Sequence, residues 1–153
     1  MHAFERQDSW QTLASGIAEY HGANSGLAAG RSMSPSAIEF FRCHDAVHVI
    51  YGCGNSLNDE AVVKISSILG TTAGLAVLRG YTLHESLRIY RALRVVDVLV
   101  SVLHSVVIVP RTTIRCLRQR KRWPWQDFER YMQVPLVDIR KEFGIRVAHV
   151  RPA

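Results

Sequence analysis

The stretch SPSAIEFFRCHDAVHVIYG, Ser34 to Gly52, constrains the fold more than any other, because it holds a helix start, interior and stop in one run. Ser34 can cap the orphan amides, and Pro35 suits the first helical position. Ser36 with Glu39 offers an alternative capping box. Gly52 tolerates the left-handed conformation that closes a helix. The helix between them carries His44 and His48 one turn apart on one face. Asp45 lies about 100° round from His44 at helical spacing, and Phe41 and Tyr51 flank the same face. A compact turn, GCGNSLN, follows, and a new helix starting near Asn58 has Glu60 in its first turn. The turn is short enough to fold Glu60 back toward the histidines.

The rest of the chain also repeats with a helical period. Trp10 to Tyr20 reads as a first helix with Leu13, Ile17 and Tyr20 on one side. His21 to Ser34 is loop-like, with three glycines. The helix bearing Glu60 extends to about Leu78, although Gly70 and Gly74 weaken it. Thr82 with Glu85 opens a long helix to Pro110. Thr112 to Lys121 is a further helix, WPWQDFERYMQVPL holds a short one, and Val137 to Phe143 is a last helix stopped by Gly144. Ile145 to Ala153 reads as extended. The expectation is an all-α single-domain bundle of roughly six to seven helices, packed layer on layer.

Composition narrows the class. Of 153 residues, 48% are apolar, which argues against disorder. The net charge of +6 favours anionic partners. No nucleic-acid-binding motif accompanies it, so nucleic acid is not expected. Cys43, Cys53 and Cys116 are odd in number and have no CxxC spacing, which fits a reducing cytoplasm. The N-terminal MHAFERQDSW lacks the apolar core of a signal peptide. The longest apolar run, Val95 to Val109, is interrupted by Asp97 and His104 and is shorter than the roughly 20 residues of a membrane span. It reads as a buried or interfacial helix, and an exposed apolar helix would favour a homodimer.

His44, Asp45, His48 and Glu60 together permit one cation held by two imidazoles and one or two carboxylates. Such a set suits zinc, iron, manganese or cobalt, and without a thiolate it leaves a position open to water or substrate. Spacing alone also allows plainer roles for the same residues. An i,i+4 histidine pair arises by chance among seven histidines, Glu60 can complement its helix dipole, and Asp45 can pair with Arg42.

HDAVH, then eleven residues, then Glu60 reads as HDxxH-x11-E, continuing as HDxxHVxxG to Gly52. This resembles the signature of the coenzyme Q (ubiquinone) biosynthesis protein 4 family. PLVDIRKEFGI, Pro135 to Ile145, is similar to that family's closing segment. The resemblance implies an all-α fold and a divalent ion, usually zinc, with His44, Asp45, His48 and Glu60 at the ligand positions. It also implies C1 decarboxylation of a polyprenylated 4-hydroxybenzoate, with organisation of other ubiquinone-biosynthesis proteins at a membrane.

On that reading the open metal position accepts the substrate's carboxylate or phenolate, and Glu60 or Asp45 moves a proton at C1, Glu60 being favoured as the more flexible. The helices Ala61–Leu78 and Leu83–Val109 are candidates for lining the tail. Arg115, Arg118, Arg120, Lys121 and Arg122, with Trp123 and Trp125, suit peripheral contact at the inner face of the cytoplasmic membrane, or simply a solvated helix end. Two other functions compete: a non-catalytic prenyl-lipid-binding or scaffold protein, and a metal-dependent phosphohydrolase built on His44–Asp45. The latter class needs a further upstream histidine and a downstream aspartate.

Overall fold

A computed structural model of the chain describes residues 2–24, 34–81 and 95–148, with side chains from 105 onward in the last segment. The described residues form six α-helices: α1 (Leu13–Ala23), α2 (Pro35–Tyr51), α3 (Leu57–Leu69), α4 (Leu78–Tyr81), α5 (Val95–Leu117) and α6 (Leu136–Phe143). Short 3-10 turns at Ala3–Glu5, Gly74–Val77 and Phe128–Tyr131 complete them, and no strand is present among the described residues. The all-α expectation holds.

The second half of α2 is the centre of the core. Its start is capped by Ser34, whose Oγ accepts the Ala37 amide at 3.3 Å, with Pro35 at the first turn. It stops at Gly52, in the left-handed conformation at φ 64, where the Cys53 amide donates back to the His48 carbonyl. A Cβ at Gly52 would also press on Val147. From Cys43 to Tyr51 every residue but Asp45 is buried, so α2 is wrapped on nearly all sides.

Arg140 on α6 fixes the end of α2. It is 1% exposed. Its Nε donates to the Ile50 carbonyl at 2.9 Å, and its Nη2 to Val49 at 2.9 Å and Phe4 at 2.6 Å. Its Nη1 donates to the Arg6 carbonyl. The last carbonyls of a helix lack helical partners, and here one guanidinium supplies them while tying down the N-terminal turn.

Several boundaries differ from the sequence expectation. The first helix begins at Leu13, because Thr12 Oγ1 caps the Ser15 amide, and continues through His21 to Ala23. α3 ends at Leu69 rather than near Leu78. Gly70 there packs so tightly on the Tyr51 hydroxyl that no side chain fits, and its carbonyl accepts the Trp123 amide at 2.8 Å. α5 runs unbroken through Pro110 to Leu117 instead of splitting there. A proline inside a helix costs about 3 kcal/mol. Pro110 is exposed, while Thr112 and Cys116 on the opposite side are buried and Cys116 meets Ser66 of α3. Packing on α3 holds the helix through the lost bond. The WPWQDFERYMQVPL segment yields only the 3-10 turn Phe128–Tyr131. Residues 145–148 are irregular and attach through the Ala148 amide to the Tyr51 carbonyl at 2.8 Å.

Trp123 and Trp125 are buried at 1% and 9% exposure, so neither serves as an interfacial anchor. Exposed apolar surface lies instead on α5, where Val106 (71%), Val107, Pro110, Ile114 and Leu117 (76%) share one side beside the exposed Arg111 and Arg118. No helix of the described residues is long and apolar enough to cross a membrane. The capping pair Thr82 and Glu85, the isolated His84 and His149, and the side chains of Asp97 and His104 lie outside the described residues.

Candidate metal centre

Glu60 folds back onto α2 as the turn length predicts. Ser56 caps α3 by accepting the Asp59 amide at 3.2 Å and donating to Asp59 Oδ2 at 2.7 Å. That start places Glu60 in the first turn, facing His44 and His48. Glu60 Oε1 lies 3.2 Å from His48 Nε2, and Oε2 lies 3.7 Å from His44 Nε2. The imidazole centroids are 4.6 Å apart. One ligand atom from each of the three residues falls within 4.8 Å of the others. Ligands about 2.1 Å from one tetrahedral ion stand roughly 3.4 Å apart, and the two histidine–glutamate separations bracket that spacing.

The protonation pattern supports cation binding. His48 Nδ1 lies 2.8 Å from the Gly54 carbonyl. A carbonyl only accepts, so Nδ1 carries the hydrogen and neutral His48 presents a lone pair at Nε2. Nε2 of both His44 and His48 is buried without a hydrogen bond. Buried polar atoms rarely lack partners, and a lone pair facing a carboxylate is repelled unless a proton or a cation lies between them. The donor set therefore fits a divalent ion, which His44, His48 and Glu60 could hold.

Aromatic rings wall the site. Tyr20 stacks on His48 with centroids 4.9 Å apart, Phe40 stacks on His44 at 5.6 Å, and Tyr81 meets His44 edge-on at 5.7 Å. Glu60 stays partly open, its side chain 27% exposed. Burial disfavours the charged form of His48, but Glu60, Asp45 and the Gly54 carbonyl outweigh it and hold its pKa above the ordinary value. Burial likewise opposes ionisation of Glu60, yet His48, His44 and Lys64 keep its carboxyl below the usual range.

Asp45 stands apart from the three-residue cluster. Its Oδ2 lies 2.8 Å from His21 Nε2, and its Oδ1 is 3.8 Å from His44 Nδ1, the ring nitrogen turned away from Glu60. The Asp45–Arg42 pair that spacing allows as the plainer role does not form, because Arg42 pairs with Glu39 and Glu129. His21, read from sequence as a loop residue, sits in the last turn of α1. It supplies the upstream histidine of the phosphohydrolase alternative, but to Asp45 and not to the cluster. Burial works against the Asp45 carboxylate, but His21 and His44 lower its pKa, and Asp45 in turn raises that of His21.

The cysteines near the motif are not activated. Burial pushes the Cys43 thiol up to about 12 and the Cys53 thiol well above its ordinary value. A cleft of about 480 Å³, walled by Ala73, Ala76, Val77 and Trp125 and edged by Arg79, shares Phe40 with the site. Comparison of the chain with protein-family models, with curated proteins and with solved structures found no match.

Proposed function

We propose that the protein is a metal-dependent decarboxylase of ubiquinone biosynthesis. It would remove the C1 carboxylate from a polyprenylated 4-hydroxybenzoate, with His44, His48 and Glu60 holding a divalent ion, zinc foremost. The metal half of this reading is carried by one observation: two buried imidazole Nε2 atoms without hydrogen-bond partners converge on one carboxylate. The substrate half rests on the HDxxH-x11-E pattern and the Pro135–Ile145 segment.

An ion at this site would act as a Lewis acid on the substrate's carboxylate or phenolate oxygen and stabilise charge developing on the ring. The chain's own contributions are positional and protonic. Tyr20, Phe40 and Tyr81 present apolar faces around the head group and exclude water. When the C1–carboxyl bond breaks, carbon dioxide leaves and the electron pair stays on C1. Glu60, on a different helix from the histidines and partly open to solvent, would take a proton from water and pass it to C1, forming the new C1–H bond. The cleft beside Phe40 suits the first units of a prenyl tail. The apolar side of α5 with Arg111 and Arg118 suits contact with an anionic bilayer, from which such a substrate would come.

Native and denaturing mass spectrometry of the purified chain tests the reading. One divalent ion per chain is expected, together with a co-purifying prenylated molecule. His48→Ala should abolish metal uptake with helical content nearly unchanged by circular dichroism, and unchanged stoichiometry refutes the site. Carbon dioxide release from a prenylated 4-hydroxybenzoate then decides the activity. A metal-loaded chain that binds the substrate without releasing carbon dioxide is a lipid-presenting or scaffold protein instead.

A further inference from the structure

We propose that Asp45 and His21 form an outer shell that holds His44 in its ligating orientation, and that Asp45 is a positioning residue and not a fourth ligand. This rests on the metal reading of His44, His48 and Glu60, and it departs from what the sequence resemblance implies for Asp45.

Three observations carry it. Asp45 lies on the opposite edge of the His44 ring from Glu60: its Oδ1 is nearest His44 Nδ1 at 3.8 Å, while His44 Nε2 faces Glu60. About 0.8 Å of movement closes that gap to an ordinary hydrogen bond. A hydrogen at Nδ1, accepted by Asp45, leaves the lone pair at Nε2, on the ion's side. The second oxygen of Asp45 is already engaged, 2.8 Å from His21 Nε2. A carboxylate only accepts, so His21 is the donor, and it restrains Asp45 from swinging toward the cluster.

The third observation is the parallel arrangement at His48. There the Gly54 carbonyl, 2.8 Å from Nδ1, directs Nε2 into the same site. Each imidazole thus has an oxygen acceptor behind it and Glu60 in front. Carboxylate or carbonyl acceptors on the far nitrogen of a ligating histidine fix its tautomer and increase its basicity. With Asp45 in that role the ion has three protein ligands, and the remaining position is free for water or a substrate oxygen.

The test uses the full chain titrated with cobalt(II), read by visible absorption and by competition with a chromophoric chelator. Wild type is expected to bind one ion. Asp45→Asn and His21→Ala should each still bind one ion, with unchanged band positions and intensities and an affinity lower by roughly tenfold or more. His21→Gln, which keeps a donor for Asp45, should recover most of the loss. Circular dichroism of each variant guards against misfolding. A changed cobalt spectrum in Asp45→Asn makes Asp45 a ligand and overturns the proposal. So does wild-type affinity in His21→Ala. Failure of the wild-type chain itself to take up cobalt overturns the metal reading, and this proposal falls with it.

Discussion

Replacing Arg140 should produce an inverted ranking, in which lysine is worse than methionine. Arg140 donates to four carbonyls, those of Phe4, Arg6, Val49 and Ile50. Val49 also accepts from the Gly52 amide and Arg6 from the Ser9 amide, so both keep a partner when the guanidinium is removed. The Phe4 and Ile50 carbonyls lose theirs. A buried acceptor left unsatisfied costs about 1–3 kcal/mol, so the two together cost about 4 kcal/mol. Against that stands the burial of the charge itself, which pulls the guanidinium pKa well below its ordinary value, to about 10. At about 1.4 kcal/mol per tenfold change in proton affinity, the buried charge costs about 3 kcal/mol. Arg140→Met loses the bonds but is relieved of the charge, for a net loss of about 1 kcal/mol. Arg140→Lys keeps the charge, but its chain is one atom shorter, so its ammonium falls short of the Nη2 position from which Arg140 reaches both Phe4 and Val49. Its loss should be about 4 kcal/mol. For a chain of this size each kcal/mol moves Tm by about 2–4 °C. Thermal and urea unfolding followed by far-ultraviolet circular dichroism should place Arg140→Met a few degrees below wild type and Arg140→Lys about 10 °C below it. A lysine variant as stable as the methionine variant, or more so, would refute this reasoning.

Stability and metal uptake should respond to pH in opposite directions. In the metal-free chain His21 and His48 have raised pKa values, so their contribution is complete below 6.5 and is lost as pH rises through the folded values. Asp45 and Glu60 have lowered values, so theirs is present above 3.8 and 4.5 respectively and is lost on acidification through the folded values. Scanning fluorimetry with a chelator should therefore show Tm falling from pH 6 to pH 8, while the gain in Tm on adding zinc grows, because zinc needs the imidazoles unprotonated. A metal-free Tm that rises over that interval contradicts the charge assignment. Gly70→Ala should destabilise by about 1–3 kcal/mol through overpacking against Tyr51 and Gln119. Adding Tyr51→Phe should recover part of that loss in urea unfolding, and independent, additive losses would show that the hydroxyl is not the obstacle. Leu117→Asp should abolish co-sedimentation with vesicles containing phosphatidylglycerol while leaving helical content intact. Equal binding by variant and wild type, or a wild-type dimer that ignores vesicles, removes α5 as the lipid face.

What was legible in the sequence was what local chemistry decides. Ser34, Pro35 and Gly52 bound α2 where their capping and φ preferences place its ends, and the short turn to Ser56 leaves Glu60 little choice but to face α2. The failures came where a distant segment decided. Gly70 ends α3 early because Trp123 claims its carbonyl and Tyr51 occupies its side-chain space. Pro110 fails to end α5 because α3 holds the turns beyond it. Trp123 and Trp125 follow five basic residues and a helix end, which reads as interfacial, yet both rings are drawn into the core, Trp123 against Tyr131 and Phe143 and Trp125 against Phe40. Asp45 is the instructive case at the site. Helical spacing puts it beside His44, and from there a carboxylate can turn either to the ion or to the far edge of the ring. The choice is made by His21, which lies 24 residues earlier on another helix. An HD pair therefore specifies that an acid neighbours the histidine and leaves open which nitrogen it serves. Here the second oxygen of Asp45 is engaged by an outside donor, and that engagement favours the outer role over ligation.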